Sequence, residues 1–545
     1  MYKDKQLIVL MAGHGTRLYP LTLNMPKALL SVKQMPSIYN MLIPLIKDGL
    51  TDITFVVNDE NRYLIEQFMK NSFNNIKIDF KYVVQRDFSG PGIALRMTKD
   101  LIKKKTILLL GDTLCEYPTD YSKSFIVGQK IANEKANMYC MISTDSNDKI
   151  INLEDKPQKT NASYAAIGLY YFKNYKLLKK ILEEDIQKDG AEYQLSSYFY
   201  KYMEKEDVYL EKTTSWEDIG TLENYMETNK KNFNCRNFNS LFLDNLSVLH
   251  KKSTWNKISS EMNWYKEVAN TDFEKITPKF YKNNKFDNEY GIEYYDYLTL
   301  SEYFTFYPLM DYNKNYIFEK LFENLMNIYS KNKIISLSFR DYMQEMLIKK
   351  TKSRIDKWDR KDIVLSDEVI IDGKKHLGIN KCLEKLEKRI IRICNDSINY
   401  VSIVHGDPAF SNILFSPRNM IFKFIDPRGN FVIDTIYGDY RYDIAKLRHC
   451  YHGRYDEIIN DLFTVDENEK GFKLKFFKQA SNYSVFDSII NKNCISIDDI
   501  ELIEGLLFIS MISLHSDYPE RQLAFFIQGI KILNKQLGGA QYDSI

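Results

Sequence analysis

LMAGHGTRLYPLTLNMPKALLSV, residues 10–32, carries the character of the first half of the chain. The apolar run at 6–10 (QLIVL) has the character of a buried strand and ends in a loop carrying Ala12, Gly13, Gly15 and Thr16. Glycines after a strand let backbone N–H groups come close to phosphate oxygens. Arg17 and Lys27 follow within the same string and supply fixed positive charge suited to a triphosphate. His14 either lines that site or points to solvent.

Downstream, Ile38, Met41, Leu42, Leu45 and Ile46 fall at helical spacing, with Pro44 as a candidate kink. Strand-like runs follow at 53–57 (ITFVV), 76–85 (IKIDFKYVVQ) and 106–110 (TILLL). Strands separated by helical segments predict βαβ units and a mostly parallel sheet. The polar stretch 227–239 (ETNKKNFNCRNFN) has the composition of a domain boundary. Beyond it, short strands are predicted at about 240–300. Long amphipathic helices come next, on the stripes Ile317, Phe318, Leu321, Phe322, Leu325, Met326 and Leu383, Leu386, Ile390, Ile393.

With these strings in place, the first half resembles the nucleotidyltransferases that join a nucleoside triphosphate to a sugar phosphate or alcohol phosphate and release pyrophosphate. The resemblance covers about residues 5–230. Gln85 with Ser89-Gly90-Pro91-Gly92 resembles the base-facing and helix-opening segment of that family, so Ala12, Gly13, Gly15, Thr16, Gln85 and Gly90 are expected to bind nucleotide. LLLGD (108–112) ends in Asp112, and WEDIG (216–220) carries Asp218; the resemblance makes these the ligands of one or two Mg²⁺ ions. LEDKP (153–157), AIGLYYF (166–172) and EYQL (192–195) resemble acceptor-side elements, which gives Glu154, Lys156, Gly168 and Glu192 as substrate-binding residues. Arg17 and Lys27 would offset repulsion between two anionic partners. Many sugar-1-phosphate members have one more residue before the GTR triplet. The shorter AGHGTR loop is similar to CTP- or UTP-using relatives.

A second constellation lies far downstream: VHGDPAFSNILF (404–415), IFKFIDPRG (421–429) and GDYRYDIAKL (438–447). The spacing of Asp407, Asn412 and Asp426 suits a phosphotransferase loop. Asp407 can accept a hydroxyl proton, while Asn412 and Asp426 are oxygen ligands for Mg²⁺ on ATP phosphates. These segments resemble the aminoglycoside phosphotransferase and choline kinase family over about 237–545. HGD in place of HRD, and no APE segment after Asp426, argue against a protein kinase. The resemblance implies a cationic phosphate ligand on a strand near 245–253, Lys251 or Lys252, with Glu261 as its partner. It also implies a connector at 292–298 (IEYYDYL), and Asp443 as a brace of the catalytic loop.

The expected fold is α/β. A Rossmann-like nucleotidyltransferase domain with a mostly parallel mixed sheet (1–232) precedes a bilobal kinase-like domain (237–545), with a small lobe at about 237–300 and a helical large lobe at about 301–545. The expected activities are an ATP-dependent kinase for a small alcohol, amino alcohol or sugar, and a nucleotidyltransferase acting on the resulting phosphate, with CTP or UTP favoured. Two alternatives stay open: choline kinase joined to CTP:phosphocholine cytidylyltransferase, and one half serving as a non-catalytic module.

The 545 residues carry 75 basic and 73 acidic side chains, a net charge of +2, which excludes a strongly basic nucleic-acid footprint. Hydrophobic residues at 44% exclude a wholly disordered chain. The longest apolar run, 505–514, is too short to cross a bilayer, and no leader-like segment is read at the N-terminus, so a cytoplasmic protein is expected. The seven cysteines form no CxxC pair, which predicts reduced structural thiols. Small-molecule substrates are the expected partners; a homo-oligomer is compatible with the sequence.

Overall fold

The computed structural model describes residues 1–86, 90–184, 194–231, 239–253, 257–282, 288–330, 339–431, 433–480 and 484–538. The chain divides into two compact units, Met1–Asn234 and Cys235–Ile545.

In the first unit, nine strands among the described residues share one sheet. They are β1 (Lys5–Leu10), β2 (Asp52–Val57), β3 (Asp79–Val84), β4 (Lys105–Leu110), β5 (Ser124–Lys130), β6 (Cys140–Thr144), β7 (Ile150–Asp155), β8 (Tyr164–Phe172) and β9 (Val208–Thr213). The spatial order is β7-β6-β8-β4-β1-β2-β3, with β5 on β8 and β9 on β5. Strands β4, β1, β2 and β3 are parallel, and β8 runs antiparallel to β4. All six residues of β1 are buried, because a central parallel strand is covered on both faces. The chain leaves β1 for β2 on one side and later returns to β4 on the other. That reversal opens a crevice at the carboxyl ends of β1 and β4, where open α/β sheets place their ligands.

Helix α1 (Ser37–Lys47) passes through Pro44 without ending there. Pro44 lies on the exposed face, and its carbonyl still accepts from the Asp48 N–H at 3.2 Å. The long run 76–85 is a strand only over Asp79–Val84.

In the second unit, β10 (Asn239–Leu243), β11 (Val248–Ser253), β12 (Phe280–Lys282) and β13 (Glu289–Glu293) form an antiparallel sheet in the order β10-β11-β13-β12. Helix α2 (Lys257–Val268) accompanies it. The remainder is mainly helical and includes α3 (Asp311–Tyr329), α4 (Phe339–Gln344), α5 (Lys350–Ile355), α6 (Ile379–Asp396), α7 (Tyr440–Tyr451), α8 (Ile497–Met511) and α9 (Pro519–Lys535). The stripe residues Ile317, Phe318, Leu321, Phe322, Leu325, Leu386, Ile390 and Ile393 are buried in one core. The apolar run at 505–514 begins inside the core: every residue of α8 from Asp499 to Met511 is buried. No helix among the described residues is long and apolar enough to cross a membrane.

One departure from the helical reading is a hairpin of β14 (Glu368–Ile371) and β15 (Lys374–Leu377). Its turn places Asp372 and Gly373 at φ +52° and +78°, the two positive-φ positions an Asp-Gly turn provides. A second hairpin pairs β16 (Ile413–Ser416) with β17 (Ile421–Phe424) and brings 405–412 and Asp426 into one neighbourhood.

Candidate active sites

The glycine loop follows β1, and Arg17, Lys27, Asp112 and Asp218 come together at the carboxyl ends of β1 and β4. Gly15 adopts φ +66° and caps the short helix Thr16–Leu18, while the Thr22 hydroxyl donates to Gly15 O at 2.8 Å and ties the loop back on itself. A Cβ on Gly13 would meet nothing within 4 Å, so that backbone is open to a ligand. The loop is anchored from β2's end, where Asn58 Nδ2 donates to the Ala12 carbonyl at 3.0 Å. His14 is partly exposed and faces Glu60 at 3.5 Å.

Lys27 Nζ lies 2.5 Å from Asp112 Oδ2. Burial alone would raise the Asp112 pKa, but the Lys27 ammonium and the Arg17 guanidinium outweigh it and hold the carboxyl below its ordinary value. Asp218 is oriented by three donors: Gly220 N–H to Oδ1 at 2.7 Å, and Tyr139 Oη and Asn224 Nδ2 to Oδ2 at 2.8 and 2.9 Å. A single point, the Cβ position of a residue replacing Gly220, is 2.8 Å from Asp218 Oδ1, 3.6 Å from Arg17 Nη2 and 3.7 Å from Asp112 Oδ2. Two carboxylates therefore converge beside an arginine; the carboxylates fit an Mg²⁺ completed by water and substrate phosphate, and the arginine can meet that phosphate.

A cavity of about 190 Å³ opens beside them, lined by Arg17, Asp112, Lys156 and Asp218. Its walls include Tyr139, Tyr170, Phe199 and Trp216, and Asp155, which accepts from the Ser196 hydroxyl, also lines it. Tyr139 and Trp216 meet edge to face at 5.2 Å. Here the acceptor-side expectation is corrected. Side chains alternate along β7, so Asp155 lines the cavity, while Glu154 turns away to accept from Thr160. Gly168 serves the backbone: it sits at φ +96° in a bulged stretch of β8, and a Cβ there would lie 2.4 Å from Thr113 Oγ1. Gln85 is buried and donates to Gly90 O at 3.4 Å, and Gly90, at φ +93°, precedes the helix Pro91–Arg96. Ser89 and Glu192 lie outside the described residues.

In the second unit, Lys251 is buried on the inward face of β11. Its Nζ stands 2.7 Å from Glu261 Oε2 on α2 and 3.1 Å from Asp426 Oδ1. Burial would lower the ammonium pKa, but Asp426 and Glu261 together raise it above its ordinary value. Lys252, one position on, is exposed on the other face of the sheet, so the strand period selects Lys251 in its place. Asp426 adopts φ +55°. Asn412 Nδ2 donates to Asp407 O at 2.9 Å, which leaves its amide oxygen, with Asp426, as a pair of hard donors fit for Mg²⁺. Asp407 Oδ1 is 3.0 Å from Lys446 Nζ on α7. Behind the loop, Asp443 accepts from the His405 and Gly406 N–H groups, each at 2.8 Å, and from Tyr329 Oη at 3.1 Å. His405 is buried against Trp264, Phe273 and Phe424, and burial pushes its pKa down to about 4.

Sequence reasoning missed Asp155, Tyr139, Trp216 and Lys446. Lys446 follows Asp443 by three residues on α7, close to one helical turn, a spacing that could have marked it.

Residues 6–234 match the family model for nucleotidyl transferase. The chain is 26% identical over 234 residues to a glucose-1-phosphate thymidylyltransferase of Mycolicibacterium smegmatis, covering 40% of this chain and 79% of that protein. It is 30% identical over 224 residues to the bifunctional protein GlmU of Methanococcus vannielii, covering 39% of this chain; the chain spans about half, 51%, of that relative's length. A solved UDP-glucose pyrophosphorylase in complex with UDP-glucose aligns with a TM-score of 0.38 and 23% identity, over 42% of this chain and 97% of that one. The N-terminal unit is a nucleotidyltransferase domain homologous to the sugar-phosphate nucleotidyltransferases.

Proposed function

We propose that the chain is a bifunctional enzyme. Its C-terminal unit phosphorylates a small hydroxylated metabolite with ATP, and its N-terminal unit transfers a nucleotidyl group from a second nucleoside triphosphate to the phosphate so formed. The product is a nucleoside-diphosphate-activated group of the kind used to decorate surface polysaccharide or lipid. The observation that carries the kinase half is the position of Lys251 between Glu261 and Asp426, with Asp407 on the adjoining loop.

In the kinase step, Asp407 accepts the acceptor hydroxyl proton. The oxygen attacks the γ-phosphorus, the bond to the β-phosphate bridging oxygen breaks, and ADP leaves. Lys251, fixed by Glu261, offsets phosphate charge. In the transfer step, an acceptor phosphate oxygen attacks the α-phosphorus and pyrophosphate leaves. Arg17 and Lys27 reduce the repulsion between the anions, and Lys156 holds the acceptor phosphate. Mg²⁺, when bound by Asp112 with Asp218 and by Asn412 with Asp426, supplies charge neutralisation of the phosphates. The short AGHGTR loop supports CTP or UTP as the second nucleotide.

The test is ³¹P NMR with Mg²⁺, ATP and CTP, UTP, GTP or dTTP in separate tubes, each with pooled alcohols, amino alcohols, hexoses and sugar acids. A new phosphomonoester that D407N abolishes, followed by a new diphosphate pair that D112N abolishes, is the expected result. A diphosphate pair formed from a supplied sugar phosphate, with no ATP-dependent phosphomonoester in any tube, would leave the transferase and remove the kinase.

A further inference from the structure

Helix α7 holds the loop carrying Asp407 at three successive places along one of its faces. Asp443 accepts from the His405 and Gly406 N–H groups, each at 2.8 Å. Lys446, three residues on, sets its Nζ 3.0 Å from Asp407 Oδ1. Cys450, four further, takes the Phe410 N–H on its Sγ at 3.4 Å. Spacings of three and four residues put 443, 446 and 450 in one row of the helix, and that row meets residues 405 to 410 in chain order. Within the loop, the Ala409 N–H and Asn412 Nδ2 both donate to the Asp407 carbonyl, at 2.8 and 2.9 Å. The Asp407 backbone is thereby fixed by its own loop, and Lys446 meets its side chain.

The pair is uneven. The Lys446 side chain is 10% exposed and the Asp407 side chain 42%. The ammonium comes from the protein interior, and the carboxylate opens toward solvent, where an acceptor would arrive. A buried ammonium is unfavourable unless its counter-charge is kept. It is also a strong orienting device, since burial strengthens its attraction to the carboxylate. An ion-paired carboxylate is a weaker base. That suits phosphoryl transfer, whose transition state is largely dissociative, so that orienting the attacking hydroxyl counts for more than drawing off its proton early.

We propose that Lys446 is a positioning residue of the C-terminal kinase site: it holds Oδ1 of Asp407 and so presents the other carboxylate oxygen to the acceptor hydroxyl. The inference rests on the kinase reading above and adds a residue to it. The step itself is unchanged: the hydroxyl oxygen bonds to the γ-phosphorus, ADP leaves with the bridging oxygen, and the proton passes to Asp407. Lys446 acts through Asp407 and not on the substrates.

Four full-length chains test this as a double-mutant cycle: wild type, K446M, D407N and K446M/D407N, with K446R as the conservative variant. Each is given ATP and Mg²⁺ with glycerol, glucose, glucuronate, choline or ethanolamine in separate tubes, and with water alone in one more, and ADP release is followed. Thermal melts with and without ADP·Mg²⁺ are recorded on the same preparations. In K446M, kcat is expected to fall about 10²-fold, the scale of a misplacement of about 1 Å, while KM for ATP and the stabilisation by ADP·Mg²⁺ hold. K446R recovers part of kcat. In the D407N background, K446M lowers the residual turnover no further, because the group it positions is gone. D407N alone melts lower than K446M/D407N, since it strands the buried ammonium. Unchanged kcat in K446M, or the same loss in both backgrounds, overturns the proposal. So does a loss of ADP·Mg²⁺ stabilisation together with turnover, which a merely structural lysine would give. Turnover that D407N leaves at the wild-type level, or a wild type that neither releases ADP nor is stabilised by ADP·Mg²⁺, would instead remove the kinase reading itself.

Discussion

The Asp443 carboxylate holds the backbone just before Asp407 by both of its oxygens: Oδ2 accepts from the His405 N–H and Oδ1 from the Gly406 N–H, each at 2.8 Å. Burial pushes its pKa up to about 7, against the lowering effect of those same bonds. The folded state thus binds a proton that the unfolded chain has released above about pH 4. Stability from this group is present at low pH and falls as pH rises from about 4 to about 7. Asp443→Asn keeps one acceptor and sets an amide N–H₂ against a backbone N–H. Urea melts are expected to show D443N destabilised at every pH, by a margin that narrows from about pH 4 to about pH 7, with the proposed kinase turnover lost throughout. A margin that widens with pH would contradict this assignment.

Lys251 and Glu261 are both buried, so removing one strands the other's charge. Lys251→Met is expected to cost about 3–5 kcal/mol of stability in the C-terminal unit, and the double variant K251M/E261Q distinctly less. Kinase turnover falls in both, while pyrophosphate release by the N-terminal unit persists. Equal destabilisation of the single and double variants would show that the pair is not coupled.

Lys27 and Arg17 face Asp112 across the nucleotide crevice. Lys27→Met is expected to reduce nucleotidyl transfer about 10²- to 10³-fold, the scale of losing one preorganised charge contact to the transferring group. ATP-dependent phosphorylation is unchanged, which assays of both products on the same preparation will read.

Gly13 and Gly168 make opposite predictions. Gly13 has open space at its Cβ position, so Gly13→Ala keeps stability and raises KM for the nucleotide by obstructing phosphate approach. Gly168, at φ +96° and with Thr113 Oγ1 only 2.4 Å from where a Cβ would stand, has no such freedom. Gly168→Ala is expected to cost about 1–3 kcal/mol in thermal or denaturant melts.

Much of the first unit was legible because its information is local. The run at 6–10, the glycine loop and Arg17 lie within a short stretch of chain, and strand burial follows from continuous apolar character. Asp112 and Asp218 could be named from the strings that end in them or carry them. The wall of the neighbouring cavity could not, since it depends on which face each strand turns inward. One residue of register exchanges Glu154 for Asp155, and the same alternation exchanges Lys252 for Lys251. Tyr139 and Trp216 are far apart along the chain and meet only once β6 and the segment after β9 share the sheet's end.

Hydrophobic period and short motifs were enough to indicate a change of character near residue 230 and the α/β character of the first unit. Such signals act over one or two turns of chain and need no knowledge of the fold. Folding was required to select which lysine stands between Glu261 and Asp426 and which carboxylate lines the cavity beside Asp112 and Asp218. Electrostatic environment depends on distances between residues far apart in sequence, and burial strengthens each such interaction; neither is set until the core has formed.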